Sequence, residues 1–154
     1  MLFEAPNPDQ QLWDCALRLL SRRDHSRREL AQKLRQRQFD AELIELALDK
    51  LERQQWLSDS RFAVVQVRQH VFRKHGPLRI RAELQRKGVT QVEIELALEA
   101  EAPDWFELAL ACYRSRFAFA ERLDIKERAR RVRYLQSRGF TSDHVRYALE
   151  TPPE

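Results

Sequence analysis

The segment Leu84-Gln85-Arg86-Lys87-Gly88-Val89-Thr90 decides the fold of this chain, because it predicts the end of one helix and the start of the next. Gly88 can adopt the left-handed backbone that closes a helix in a Schellman turn, where glycine occupies position C′. Val89 then packs back on Leu84, and the Thr90 hydroxyl accepts hydrogen bonds from free N–H groups of a new helix. The segment therefore predicts a helix, a tight turn and a second helix.

The same pattern occurs twice more, in steps of 50 and 51 residues, so it is an internal repeat. The other copies are Leu34-Arg35-Gln36-Arg37-Gln38-Phe39-Asp40 and Leu135-Gln136-Ser137-Arg138-Gly139-Phe140-Thr141. An apolar stripe with spacing i, i+3 and i+4 follows each copy, beginning at Ile44, Ile94 and Val145. Gln38 stands where the other copies carry glycine, and a left-handed glutamine costs on the order of 1 kcal/mol relative to glycine. We therefore expect the first turn to be the least regular.

Composition and the segments upstream of each turn predict an all-α protein. Three glycines in 154 residues and few β-branched alternations leave little room for a sheet. Another amphipathic segment precedes each helix-turn-helix, so we expect three tandem three-helix repeats that form an elongated, curved array. The predicted organisation is a disordered N-terminus at 1–8, repeats at 9–57, 58–102 and 103–150, and a C-terminal tail at 151–154.

Four residues are predicted to shape the turns. Gly88 and Gly139 occupy the C′ position of a helix stop. Gly76 and Pro77 open a further helix, since proline is favoured at the first helical position, where its missing N–H costs nothing.

Positive charge is concentrated in the middle of the chain. The formal net charge is +4, whereas residues 61–90 hold eight basic residues and one acid, Glu83, and so carry +7. The helices that follow the first two turns are instead acidic, which disfavours a sequence-specific operator binder, because its recognition helix would repel phosphate. The basic side of the array could meet a polyanion or an acidic protein surface. The alternative is that these charges only solvate exposed helix faces.

Ten basic residues form the candidate surface for partner and DNA binding. Arginine suits both kinds of partner, because its planar guanidinium can pair with two oxygens of a carboxylate or a phosphate. The candidates are Arg68, Arg73, Lys74, Arg79, Arg81, Arg86 and Lys87, followed by Arg131, Arg133 and Arg138. We expect Glu83 to be structural, since it can pair with Lys87 one helical turn later.

Other chemistries find little support, and we expect no catalytic residue, metal or cofactor. The chain has no GxxxxGK(S/T), GxGxxG or GxSxG motif. The four histidines are not spaced as a metal-ligand set, and His70 and His75, five residues apart, are expected on different helix faces or past the end of their helix. We expect all four to be surface or capping residues, Cys15 and Cys112 to be buried thiols, and the three tryptophans to pack at helix junctions. Without a secretory segment or a long apolar span, a cytoplasmic monomer with no membrane partner is expected.

Two stretches resemble signatures of the RecX family of recombinase regulators. The central one comprises Asp59-Ser60-Arg61-Phe62-Ala63, then Arg68, then His75-Gly76-Pro77-Leu78-Arg79-Ile80-Arg81-Ala82-Glu83-Leu84-Gln85-Arg86-Lys87-Gly88-Val89. The C-terminal one is Tyr134-Leu135-Gln136-Ser137-Arg138-Gly139-Phe140, and the resemblance covers essentially the whole chain. It implies a tandem three-helix-repeat fold and a non-enzymatic role. That role is to bind the RecA filament on single-stranded DNA, to limit its growth, and to damp its ATPase, strand-exchange and coprotease activities, with consequences for recombination and the SOS response.

Two other functions remain open. A stand-alone DNA-binding protein without sequence specificity would use the same basic segment on single-stranded or double-stranded DNA, and a helical adaptor would bind only proteins. The acidic helices after the turns count against the first alternative. The concentration of positive charge counts against the second.

Overall fold

The chain folds into helices joined by short turns. The structure, a computed structural model, describes residues 7–154, so most of the predicted disordered N-terminus lies outside the described residues. The described part contains nine helices and no strand, which confirms the all-α prediction. The helices are α1 (Pro8–Arg22), α2 (Arg27–Gln36), α3 (Ala41–Arg53), α4 (Asp59–Phe72), α5 (Pro77–Arg86), α6 (Gln91–Glu101), α7 (Trp105–Arg114), α8 (Ile125–Ser137) and α9 (Ser142–Glu150).

The nine helices form three units of three, each with its own apolar core. Leu34, Leu84 and Leu135, the apolar residues that open the three repeat copies, are fully buried in the three separate cores. The expected burial of Cys15 and Cys112 as free thiols is confirmed. Because each unit buries its own apolar stripe, the tandem three-helix arrangement is confirmed as well.

The predicted helix stop is present at the end of α2, α5 and α8. Gln38, Gly88 and Gly139 have positive φ angles of 68°, 84° and 97°. In each turn the C″ amide donates to the C3 carbonyl, as in a Schellman turn. These bonds are Phe39 to Leu34 at 3.3 Å, Val89 to Leu84 at 3.1 Å and Phe140 to Leu135 at 3.2 Å. Gln38 therefore uses the same stop as the two glycines.

Two more helices end in the same way, although the sequence did not indicate it. Gln55, after α3, has φ 64°, and Lys74, after α4, has φ 59°. The Trp56 amide donates to the Leu51 carbonyl, and the His75 amide to the His70 carbonyl, both at 2.9 Å. Neither stop carries glycine or belongs to the three repeat copies, which is why the repeat pattern did not identify them.

Two local features differ from the sequence predictions. Helix α1 begins at Pro8, one residue before the predicted start of the first repeat, because Asn7 caps it by accepting from the Asp9 amide at 2.7 Å. Trp56 is 54% exposed, so the prediction that it packs at a helix junction is wrong for this residue. Trp13 and Trp105 do pack against the first and second cores.

Candidate functional site

Consecutive units touch through equivalent elements of the repeat. The hydroxyl of Ser26, which caps α2, donates to the Lys87 carbonyl at the end of α5, at 2.7 Å. One repeat later, the amide of Gly76, which caps α5, donates to the Arg138 carbonyl at the end of α8, also at 2.7 Å. Leu78 adds a second bond here, from its amide to the Gly139 carbonyl at 3.0 Å. The repeat thus generates two equivalent junctions, one between the first two units and one between the last two.

Ion pairs form at the first junction. The Glu29 carboxylate pairs with Arg23 at 2.9 Å and, across the junction, with Lys87 at 3.1 Å. Asp24 pairs across the junction with Arg61 at 3.1 Å. Burial raises the pKa of the Glu29 carboxyl, but the hydrogen bonds and charges of Arg23 and Lys87 outweigh burial and bring the pKa to about 2. Both of these acids therefore have basic partners.

The second junction carries only positive charge. The residues 50 positions after Arg23, Asp24 and Glu29 are Arg73, Lys74 and Arg79, and Arg138 takes the place of Lys87. Both acids of the first junction are thus replaced by bases. We call these four residues, Arg73, Lys74, Arg79 and Arg138, the cationic junction. None of them forms an ion pair with any residue in 7–154.

Close packing of three turns holds the cationic junction together. The Arg138 guanidinium donates to the Arg73 carbonyl, while its Nε atom is buried without a hydrogen-bond partner among the described residues. Gly139 lies against the start of α5, so that a Cβ atom added to it would be 2.4 Å from the Cβ of Arg79. Lys74 follows Arg73 in the left-handed conformation that ends α4. Four like charges therefore meet where the second and third units touch, and such a cluster attracts anions.

Two buried histidines lie beside the cationic junction. The Nδ1 atoms of His70 and His75 are 2.7 Å apart, and the side chains are only 8% and 5% exposed. His75 lies past the end of α4, which is one of the two placements expected from the sequence, but the helix stop brings the two rings together. The two residues occupy its C3 and C″ positions, as Leu84 and Val89 do in the stop after α5. Two imidazoles thus take the place of the usual apolar pair.

The pKa values of both histidines are lowered. For His75, burial is the main cause, and the positive charges of Arg79 and Arg138 add to it, which brings the pKa to about 4. Burial is also the main cause of the lowered pKa of His70. Both rings are therefore neutral near pH 7, where the charge of the junction comes from arginine and lysine alone.

The expectation that all four histidines are surface or capping residues is wrong for three of them. His25 is buried in the turn between α1 and α2, with its Nδ1 atom 3.0 Å from the Arg23 carbonyl oxygen and its Nε2 atom 2.8 Å from the Lys33 ammonium. His144 does cap α9, where its Nδ1 accepts from the Thr141 amide at 3.2 Å, although it too is only 8% exposed.

Five of the ten candidate residues are occupied by partners within the chain. Arg68 pairs with Glu101 and Arg81 with Glu95, each at 2.7 Å. The expected Glu83–Lys87 pair does not form, since Glu83 reaches Arg86 at 2.6 Å and Lys87 crosses to Glu29 in the first unit. The fifth, Arg131, pairs with Glu127 and donates to the Tyr113 hydroxyl. Of the remaining five, only Arg133, which is exposed on α8, is not part of the cationic junction.

The sequence does contain the signal that singles out the cationic junction. Aligning residues 23–29 with residues 73–79 shows two acids replaced by two bases. A count of charge over residues 61–90 does not show this, because it ignores which cations have partners. Within residues 7–154, the side chains of His, Cys, Asp and Glu form no cluster of three suited to a metal, and no helix is long and apolar enough to cross a bilayer.

Comparison with known proteins identifies the family. Profiles described as the first, second and third three-helix domains of RecX match residues 13–51, 58–98 and 103–149. The chain belongs to the RecX family. A "Regulatory protein RecX" from Vibrio campbellii is 43% identical over 141 residues, which cover 92% of this chain and 91% of that protein. A protein of the same name from Halorhodospira halophila is 42% identical over 153 residues, 99% of this chain and 95% of the relative.

The fold comparison agrees. The crystal structure of RecX from Lactobacillus salivarius matches with a TM-score of 0.78 at 21% identity, over 93% of this chain and 95% of that chain. The chain therefore has the fold of that protein, with the three-helix repeats expected from its sequence. The second and third RecX domains meet at the cationic junction.

Proposed function

We propose that this RecX protein binds the RecA recombinase filament on DNA and inhibits its ATPase, strand-exchange and coprotease activities, thereby modulating recombination and the SOS response. The family to which the chain belongs supports the regulatory part. The observation that carries the DNA part is the cationic junction, where four positively charged side chains form no ion pair with any residue in 7–154. The proposed partners are the RecA filament, single-stranded DNA and double-stranded DNA. A RecA partner works on DNA, so the proposal places the protein, as a monomer, in the cytoplasm.

The cationic junction is the best of the candidate surfaces for phosphate because its charges are unpaired. A phosphate that approached Arg81 would compete with Glu95, whose two oxygens both accept from that guanidinium, at 2.7 and 3.2 Å. Arg73 and Arg79 are exposed and have no such competitor among the described residues. A phosphate at the junction also relieves repulsion between like charges and releases counterions from DNA.

A pair of double variants tests this assignment. Arg73→Gln with Arg79→Gln removes two unpaired charges, whereas Arg81→Gln with Arg86→Gln removes two paired ones from the same unit. We expect the first variant to bind DNA more weakly and to reduce the slope of log K against log salt by about 0.7 to 0.9 for each lost phosphate contact. It should also lose inhibition of the RecA ATPase, while the second variant stays close to the parent in both assays.

Two outcomes would contradict the proposal. Equal losses in both variants would show that the cationic junction has no special role. If the unaltered protein at micromolar concentration leaves the ATPase of a RecA filament unchanged, the proposed regulation of RecA is wrong.

The cationic junction on its own also suits a DNA-binding protein that needs no recombinase. A competition titration at one fixed salt concentration separates the two functions, with labelled protein, RecA filament, and bare DNA of equal length. A filament regulator makes protein and phosphate contacts together, so that the second set forms as if intramolecularly. We expect the filament to bind at least about tenfold more tightly, which corresponds to roughly 1.4 kcal/mol. Equal affinities would favour the stand-alone DNA binder.

A further inference from the structure

A highly exposed aromatic side chain stands directly beside the cationic junction. Phe72 is the last residue of α4 and is 86% exposed, and it is followed at once by Arg73 and Lys74. Among the large apolar side chains described, only Ile125 is more exposed, at 91%. A phenyl ring in water contributes almost nothing to the free energy of folding, so the fold itself does not account for Phe72.

The helix stop of α4 sets where the phenyl group lies. His70 and His75 turn inward and pair at the stop, and Val71 packs against the second core. Phe72 therefore remains on the outside, next to two residues of the cationic junction. Consecutive Cα atoms are 3.8 Å apart, so the Cα atoms of Phe72 and Lys74 are separated by at most about 7.6 Å, which is the scale of one nucleotide.

We propose that Phe72 stacks on a base of single-stranded nucleic acid whose phosphates are held by the cationic junction. The proposal rests on the DNA-binding part of the proposed function and identifies the form of DNA that this site accepts. Proteins that bind single strands combine cations that follow the backbone with aromatic rings on which bases stack. In a duplex the faces of the bases are covered by their neighbours, so an exposed phenyl ring adds affinity chiefly for an unpaired base.

An abasic strand isolates the stacking contact. Two probes are compared at one low salt concentration: an oligothymidylate, and an oligonucleotide of equal length in which every base is replaced by a tetrahydrofuran spacer. Both carry the same phosphates, so their difference in affinity reports only on the bases. The proteins are the parent, Phe72→Ala, Phe72→Trp and the control Ile125→Ala, which removes another exposed apolar side chain, at the start of α8.

We expect the parent to bind oligothymidylate about tenfold more tightly than the abasic strand, a difference of roughly 1.4 kcal/mol. Phe72→Ala should abolish this preference while leaving the affinity for the abasic strand and the melting temperature unchanged. Phe72→Trp should keep the preference or increase it, because indole also stacks on bases. Ile125→Ala should behave as the parent.

Several results would overturn the proposal. These are the absence of a base preference in the parent, an equal loss on both strands in Phe72→Ala, and a preference that survives this substitution. If Phe72→Ala weakens inhibition of RecA while the base preference is unchanged, Phe72 contacts protein, not DNA. The failure of this proposal and the failure of the proposed function give different results. If the parent did not inhibit RecA, a base preference that depends on Phe72 could still be measured.

Discussion

Substituting Gly76 with alanine should destabilise the protein by disrupting the contact between the second and third units. The backbone conformation of Gly76 alone would not predict this loss. Gly76 has an ordinary φ of −84°, so its own backbone accepts alanine. The added Cβ, however, would lie 2.3 Å from the Gly139 carbonyl oxygen and 2.7 Å from the Phe140 amide nitrogen. These are backbone atoms of the facing turn and cannot rotate away. Accommodating alanine therefore requires the turn after α8 to move.

The matched comparison is Gly88→Ala. Gly88 has φ +84°, where alanine is strained by about 1 kcal/mol. Its added Cβ would lie 2.8 Å from the Nε atom of Arg28, which can move away, and 2.9 Å from the Cβ of Arg28, which is attached to α2. It would meet no backbone atom this closely, in contrast to a Cβ at Gly76. Conformational preference alone predicts that Gly88→Ala is the more damaging of the two substitutions. Packing between the units predicts the reverse.

The magnitude follows from the hydrogen bonds at stake. Moving the turn breaks the bond from Gly76 to Arg138 at 2.7 Å and that from Leu78 to Gly139 at 3.0 Å. Each contributes about 0.5 to 1.5 kcal/mol, and a group left buried without a partner costs more. We expect Gly76→Ala to lower the free energy of unfolding by about 2 to 4 kcal/mol and Gly88→Ala by about 1 to 2 kcal/mol.

Urea denaturation gives both values, and hydrogen exchange localises the damage. In Gly76→Ala, the Leu78 amide should exchange faster than it does in the parent, and DNA affinity should fall as the cationic junction opens. Two results would refute the predicted clash at Gly76. One is a larger loss of stability in Gly88→Ala than in Gly76→Ala, and the other is unchanged exchange at Leu78 in a fully folded Gly76→Ala variant.

Three further predictions concern the helix stops and are measured by chemical denaturation. Gln38→Gly should raise the free energy of unfolding by up to about 1 kcal/mol, because φ is +68° there, and no gain would contradict the assigned strain. Leu84→Ala should cost about 2 to 5 kcal/mol, since the side chain is fully buried, and a smaller loss would mean that the core closes around the gap. Stability should decrease between pH 6.5 and pH 5, by about 2 kcal/mol from His75 alone, because the unfolded chain binds a proton that the folded state, with a pKa near 4, excludes. His75→Phe, which places at this C″ position the residue type that Phe39 and Phe140 supply in two other helix stops, should reduce this loss, and an unchanged pH dependence would contradict it.

Local features of the fold could be predicted because local chemistry determines them. A Leu, a residue able to take positive φ, an apolar C″ residue and a capping residue together specify a helix-turn-helix, and three copies specify three units. The stops at Gln55 and Lys74 escaped prediction because side-chain type only biases the left-handed conformation. Tertiary contacts hold Gln55 and Lys74 in the left-handed conformation, which costs each of them a modest conformational free energy.

The sequence predicted the positive charge of the candidate site but not which of its cations are free of ion pairs. Charge is a property of composition, so the basic character of residues 61–90 was evident from the sequence. Which cations have partners depends on residues distant in the chain, such as Glu29 for Lys87 and Glu101 for Arg68. The same limit applied to His70 and His75, whose pairing follows from a helix stop that was not recognised.

The amino-acid sequence by itself thus determined the helices, the three main turns and the family, because these depend on periodicity, capping and motif spacing within a few residues. Only the tertiary structure decided that the amides of Gly76 and Leu78 donate hydrogen bonds to the turn after α8. It also decided that the four residues of the cationic junction come together there without an acidic partner. The physical reason is that burial, close packing and charge pairing are set by the distances between atoms. Those distances, for residues up to 65 positions apart, exist only once the units have docked.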